Sequence, residues 1–166
     1  MQAFPFTADT VGTIRAPADK LFAFLDDHKN LSKHMSKSSW MMLGSHMEIY
    51  LDGAEAHELG SKFGFKGAIL RLPLSVDEVV TRREPPGIKV WQTIGEPHLW
   101  VIGRYRMGFE ITPEGGVTRL QVFIEYARPR AALGQLLGRL FGSSYARWCT
   151  RRMVKDAERH FIHAHP

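Results

Sequence analysis

Cysteine is nearly absent from this sequence, and long apolar runs are absent altogether. Cys149 is the single cysteine among 166 residues, which excludes an internal disulfide and suits a reducing compartment. No run approaches the roughly 18 apolar residues that a membrane-spanning helix requires. The residues after Met1 have no basic start, and Pro5 and Asp9 interrupt their apolar letters, so they do not resemble a signal peptide. We therefore expect a cytoplasmic protein.

Internal repeats, linkers and low-complexity segments are also missing from the sequence. Hydrophobic residues make up 44% of the chain, and a chain of this length can bury about 70% of its unfolded surface around one core. We therefore predict one domain that spans residues 1–166.

Acidic residues are scarce towards the C-terminal end, and the chain carries a formal charge of +5. Four basic residues recur there every four positions and share one helix face: Arg147, Arg151, Lys155 and Arg159. The net charge is modest and no aromatic residues are interleaved with this row, so we predict no nucleic-acid partner. The row is either a solvated face or a site of weak contact with an anionic membrane surface.

Proline is absent between Arg130 and Ile162, and this stretch alone is long enough for an extended helix. Its apolar residues recur at helical spacing and predict a buried stripe: Leu133, Leu136, Leu137, Leu140, Phe141, Tyr145, Trp148, Cys149, Met153, Ala157 and Phe161. A second stripe consists of Gly134, Gly138 and Gly142, continued by Ala146. Because glycine permits close backbone approach, this second stripe predicts close packing on a sheet, a dimer contact or room for a ligand.

Upstream of this helix the hydrophobic pattern predicts strands. Residues 9–15 form a short strand-like run, and two short amphipathic helices follow it, the first after Pro17 and the second at residues 31–35. Alternating segments separated by glycine and proline turns continue from Trp40 to Tyr126, among them 60–70, 72–83, 88–94 and 99–112, with a turn at 95–97. The sequence therefore predicts an α+β fold in which a strongly curved antiparallel sheet of about seven strands wraps around the long C-terminal helix.

Three stretches carry a resemblance to a known family: residues 13–27, which match its strand-to-helix opening, Glu58-Leu59-Gly60-Ser61, and Arg83-Glu84-Pro85-Pro86 before the strand with Trp91. Together with the order of elements, they resemble the helix-grip superfamily of START domains, Bet v 1-type allergens and polyketide cyclase/dehydrase-like lipid-transport proteins. The resemblance covers nearly the whole chain and implies the helix-grip fold. It implies no single activity, because the superfamily includes lipid carriers, hormone receptors, aromatase/cyclases and iron oxygenases.

Inward positions of a sheet wrapped around a helix either fill a core or line a ligand cavity. The predicted lining residues are Trp40, Met42, Met47, Leu74, Val76, Trp91, Tyr105, Met107, Leu137 and Phe141. Methionines cluster around Trp40, and their flexible thioethers suit a pocket whose contents vary in shape.

Catalytic and metal-binding signals are weak. The groups that could serve acid–base chemistry in the cavity are Glu48, Tyr50, Glu78, His98, Tyr105 and Tyr126, and their spacing singles out none of them. Cys149 lies on the apolar stripe and is interpreted as a structural thiol. Neither the pair His28 and His34 nor the terminal group His160, His163 and His165 has the pattern of a metal site. We therefore predict no catalytic residue, no metal and no cofactor.

The leading hypothesis is non-enzymatic binding or transport of a small hydrophobic molecule, lipid-like or aromatic, between the sheet and the long helix. The alternative is a polyketide aromatase/cyclase or dehydrase that uses polar residues in the same cavity. An all-apolar lining favours the carrier, whereas a buried Tyr, His or carboxylate pair with a shifted pKa favours the enzyme.

Overall fold

The computed structural model describes residues 4–30, 46–69 and 71–163. Its strands are β1 (Phe6–Ile14), β2 (His46–Leu51), β3 (Lys62–Ile69), β4 (Leu72–Glu84), β5 (Ile88–His98), β6 (Tyr105–Glu114) and β7 (Val117–Tyr126). Its helices are α1 (Ala18–Asp26) and α2 (Ala132–His163), and residues 28–30 begin a further helical turn. The strands form one open antiparallel sheet in the order β1-β7-β6-β5-β4-β3-β2. The predicted α+β architecture with a long C-terminal helix is confirmed.

The boundary between β5 and β6 differs from the prediction. The sequence placed a turn at 95–97 and began the next strand at Leu99, but β5 continues to His98 and β6 begins at Tyr105. Ile94 and His98 pair with β4 residues only two positions apart, so residues 95–97 bulge out of the ladder instead of reversing the chain. Gly95 makes the bulge feasible because its φ of +65° lies in the left-handed region that glycine tolerates.

The register of the ladder determines which face of the sheet looks inward, because directly paired residues in an antiparallel sheet share a face. On β1, the Thr10 hydroxyl lies 2.8 Å from the Thr150 hydroxyl of α2, so this face is covered by the helix. At the opposite edge, Ile49 pairs with Phe65 on the inward face. Tyr50, one position on, therefore points outward and is exposed.

The backbone of helix α2 lies closest to β1 and β7 at one edge of the sheet and farther from β2–β6. The glycine stripe explains how closely its first half approaches the chain beneath it. A Cβ on Gly134 would lie 2.6 Å from the Pro129 Cβ, and one on Gly138 would lie 3.0 Å from the Val101 carbonyl oxygen. The stripe is thus closely packed, mainly on the 100–103 segment and Pro129 and only at Gly142 also on a strand residue, Tyr126.

Helix α1 covers the other end of the inward face through Leu21, Phe22 and Leu25, which are all buried. The Phe22 ring packs edge-on against Phe109 of β6 at 5.5 Å between centroids. The helix ends at Asp26, whose carboxylate is almost completely buried. Basic side chains of β4 and β5 bind this carboxylate and fix the end of the helix to the sheet.

Candidate functional site

Five predicted lining residues belong to the inward face of β3–β6: Leu74, Val76, Trp91, Tyr105 and Met107. All five are buried, and each retains between 4% and 9% of its accessible surface. Some other inward residues retain at most 1%, both on the same strands, as Val80 and Phe109 do, and at the helix-covered edge, as Leu120 and Val122 do. The five predicted lining residues thus lie together on the inward face and are nearly completely buried.

The other predicted lining residues do not join this group. Leu137 is half-buried, and Phe141 is 53% exposed, so Phe141 lies at the surface and its predicted place in a buried lining is not observed. Trp40 and Met42 fall outside the described residues, as does the side chain of Met47.

The first half of α2 explains this difference. The helical spacing of the apolar residues predicted that the leucines of this half are buried. Leu133, Leu136 and Leu140 are instead each more than half exposed. The glycines occupy the inward side instead, because only a surface without side chains can approach the Val101 carbonyl and Pro129 so closely. The expectation that the whole apolar stripe is buried is therefore wrong for residues 133–141.

A buried carboxyl group interrupts the apolar inward face. Glu78 of β4 is 1% exposed, and its Oε1 accepts a hydrogen bond of 2.5 Å from the Tyr105 hydroxyl across the sheet. Burial raises the pKa of Glu78 to about 8; the Tyr105 hydrogen bond and the nearby Trp91 indole lower it in part, and the charge of Asp77 raises it further. Glu78 is thus mostly a neutral carboxylic acid at pH 7.

The groups that face this carboxyl group are also uncharged. Burial and the proximity of Glu78 raise the pKa of Tyr105 well above its ordinary value. On α2, Tyr145 and Cys149 lie one turn apart and share a hydrogen bond; Cys149 and burial raise the pKa of Tyr145 well above its ordinary value. Burial raises the pKa of the Cys149 thiol to about 12, so this thiol is not a nucleophile near neutral pH.

A histidine completes the polar groups around the aromatic side chains of the inward face. His28 is 2% exposed, with its ring 4.0 Å from that of Phe63 and 5.4 Å from that of Trp91. Burial, together with the charge of Lys89, lowers the pKa of His28 well below its ordinary value, so the imidazole is neutral. Sequence spacing contained no signal for this position, because the contact joins the end of α1 to β3 and β5.

The remaining acid–base candidates lie elsewhere. Glu48 and Tyr50 occupy the outward face of β2, and His98 is exposed at the end of β5. Tyr126 packs against Phe6 and beside Gly142, under the helix-covered edge. Of the six groups, only Glu78 and Tyr105 are brought together at the inward face.

The predicted basic row lies on the outside of α2, with Arg147, Arg151, Lys155 and Arg159 all exposed. Weak contact with an anionic membrane through this row stays a prediction. Neither of the two described helices combines the length and the apolar character needed to cross a bilayer. Within residues 4–30, 46–69 and 71–163, no three His, Cys, Asp or Glu side chains are grouped closely enough to hold a metal ion.

Comparison with known proteins identifies the fold. No protein-family model matches the chain, and no curated protein matches it in sequence. The crystal structure of TTHA0849 from Thermus thermophilus superposes with a TM-score of 0.67 at 15% identity, over 96% of this chain and 99% of its own. Ara h 8.0201 superposes with a TM-score of 0.61 at 12% identity, over 95% of this chain and 98% of its own.

A third similar structure is norcoclaurine synthase from Thalictrum flavum in complex with dopamine and hydroxybenzaldehyde. It has a TM-score of 0.59 at 16% identity, over 97% of this chain and 88% of its own. Together these similarities confirm that the chain has the helix-grip fold of Bet v 1-like proteins, as its order of elements predicted.

Proposed function

We propose that this protein binds a small, mainly apolar molecule, lipid-like or aromatic, between the inward face of β3–β6 and helix α2. The observation that carries the proposal is the make-up of this inward face: apolar side chains of β3–β6 surround the buried Glu78–Tyr105 pair, while the backbone of α2 lies closest to β1 and β7. That face presents Val76, Trp91 and Met107, each with residual exposure. Norcoclaurine synthase, which shares the fold, has been crystallised with two small aromatic molecules, and this supports the ligand class.

The energetics of such a site favour an apolar ligand body. A ligand that removes about 200 Å² of apolar surface from water gains on the order of 5 kcal/mol before the cost of association is subtracted. The soft thioether of Met107 and the broad face of Trp91 suit flat or flexible molecules equally.

Filling the space with an indole is expected to abolish binding. In a fluorescence titration with a neutral naphthyl probe, Met107→Trp should weaken affinity at least tenfold, because the larger side chain occupies the volume the probe needs. Gln92→Trp introduces the same side chain on the outward face of neighbouring β5 and should leave affinity unchanged. Equal affinity for both variants, with native circular dichroism, would place the probe outside this space.

The Glu78–Tyr105 pair favours acid–base catalysis as a second candidate function. A neutral carboxylic acid next to a phenol can donate a proton to a carbonyl oxygen, as an aromatase/cyclase or dehydrase acting on a polyketide-like substrate requires. If the pair is catalytic, a β-hydroxyketone incubated with the protein should lose one water, detected by mass spectrometry, and Glu78→Gln should stop the reaction. Unchanged substrate after incubation with the wild-type protein would leave binding alone as the function.

A further inference from the structure

Two buried polar atoms beside the same aromatic side chains lack a hydrogen-bond partner among the described residues. They are Glu78 Oε2 and His28 Nε2. Phe63 pairs directly with Glu78 across the β3–β4 ladder and also contacts the His28 ring, so both atoms adjoin one aromatic wall of the inward face. Leaving a buried polar atom unpaired costs about 1–3 kcal/mol, and a protein rarely retains such a group unless something satisfies it.

The hydrogen bond at Glu78 Oε1 determines whether the other oxygen, Oε2, acts as a donor or as an acceptor. Tyr105 donates its hydroxyl hydrogen to Oε1, and the phenol keeps that hydrogen because its pKa is raised well above the ordinary value. The neutral acid therefore carries its own proton on Oε2. The protein thus presents a hydrogen-bond donor, not a negative charge, on an apolar wall.

We propose that the ligand carries a carbonyl oxygen on its apolar body, as a ketone, aldehyde or quinone does, and that this oxygen accepts a hydrogen bond from Glu78 Oε2. The inference rests on the proposed function, since the apolar body must occupy the same space. A cationic amine is the opposite case, because it would require an ionised carboxylate. Ionisation of Glu78 is costly because the group is buried and the one charge that acts on it, that of Asp77, is also negative.

The surroundings of Glu78 make the two cases distinguishable by pH. The titratable groups on its side of the sheet are Tyr105 on β6 and Tyr145 and Cys149 on α2, and the charge of Asp77 acts on it from the outward face of its own strand. The two tyrosines and the thiol stay neutral up to pH 9, because the pKa of each is raised above its ordinary value. Among these inward groups, Glu78 changes charge near pH 8, so affinity for a carbonyl ligand falls above that pH and affinity for an amine rises.

The test compares three ligands that share a naphthalene body: 2-acetylnaphthalene, 2-ethylnaphthalene, in which a methylene replaces the carbonyl, and 1-(2-naphthyl)ethylamine. Dissociation constants are measured by calorimetry at pH 6.5 and pH 9 for the wild type, Glu78→Gln and Glu78→Leu. At pH 6.5 the ratio of ketone to ethyl affinity should be about tenfold higher in the wild type than in Glu78→Leu. Glu78→Gln keeps an N–H donor, so it should retain the preference for the ketone and lose its dependence on pH.

Each outcome bears on the inference separately from the proposed function. Ketone and ethyl ligands that bind with the same affinity ratio in the wild type and Glu78→Leu would overturn the inference while leaving apolar binding intact. An amine that binds more tightly at pH 9 than at pH 6.5, and loses this gain in Glu78→Gln, would identify a cation site instead. Failure of all three ligands to bind the wild type would count against the proposed function itself.

Discussion

Asp26→Ala is expected to destabilise the protein by about 3–5 kcal/mol, measured by urea unfolding monitored by circular dichroism. The Asp26 carboxylate accepts a hydrogen bond of 2.6 Å from Lys89 and two from Arg83, at 3.2 and 2.8 Å. The Lys89 side chain is completely buried and also donates to the Asp26 backbone oxygen. Alanine would therefore leave a buried ammonium group without a counter-charge, which is the costly way to break a buried ion pair.

Two further variants separate this cause from the loss of packing. Asp26→Leu combined with Lys89→Met removes both charges and should recover most of the lost stability. Glu84→Ala removes a carboxylate from the exposed pair with Arg82 and should have little effect. If the double variant is as unstable as Asp26→Ala, the buried charge is not the origin of the loss.

The same cluster predicts how stability responds to acid. Burial alone would raise the pKa of Asp26, but the hydrogen bonds and charges of Arg83 and Lys89 outweigh it and hold the pKa below its ordinary value of 3.8. A carboxylate with a lowered pKa contributes its full stability above that ordinary value, and the contribution is lost as pH falls through the lower, folded-state pKa. In Asp26→Asn, the free energy of unfolding should therefore decrease less steeply than in the wild type as the pH falls below 4.

Phe109→Ala is the second substitution with a large expected effect, a loss of about 3–5 kcal/mol. Phe109 has no exposed surface and connects two parts of the fold, since its ring meets Phe22 of α1 at 5.5 Å and Trp91 of β5 at 6.3 Å. Truncation would open a cavity between α1 and the sheet that the surrounding aromatic rings cannot close. The loss should appear as a lower melting temperature in thermal unfolding and a lower midpoint concentration in urea unfolding.

Phe123→Ala is the matched control for this substitution. Phe123 lies on adjacent β7 but on the outward face, where it pairs with Gly108 and is only partly buried. Its removal should cost less than half as much as that of Phe109. Similar losses of stability for both variants would show that the aromatic contacts between α1 and the sheet stabilise the fold less than expected.

Much of the fold could be predicted because its strands are amphipathic. The alternation of Leu120, Val122 and Ile124 with polar neighbours specified β7, and the proline-free C-terminal stretch specified α2 within two residues at each end. The errors arose where tertiary contacts overrule local pattern. Leucine at helical spacing predicts burial in general, but only the sheet and the 100–103 segment decide that glycine takes the inward side of α2.

The candidate site was predictable only in part. The sequence prediction singled out none of the six acid–base candidates, but Glu78 shares a face of β4 with Leu74, Val76 and Val80, which is a signal that could have distinguished it. Its pairing with Tyr105 could not be predicted, because β4 and β6 are brought together only by the intervening β5. Phe141 was assigned to the lining from helical spacing alone, which does not determine where the helix axis lies.

The most direct test of the central claim is native mass spectrometry of the purified protein, followed by denaturing extraction and identification of any molecule released. The account predicts a near-stoichiometric adduct whose mass belongs to a mainly apolar small molecule, and its absence from Met107→Trp. A clean apoprotein mass, with no thermal shift across a panel of lipids and aromatic compounds, would contradict it. The inward face of β3–β6 would then be a filled core, and the exposed face of α2 would be the surface to investigate.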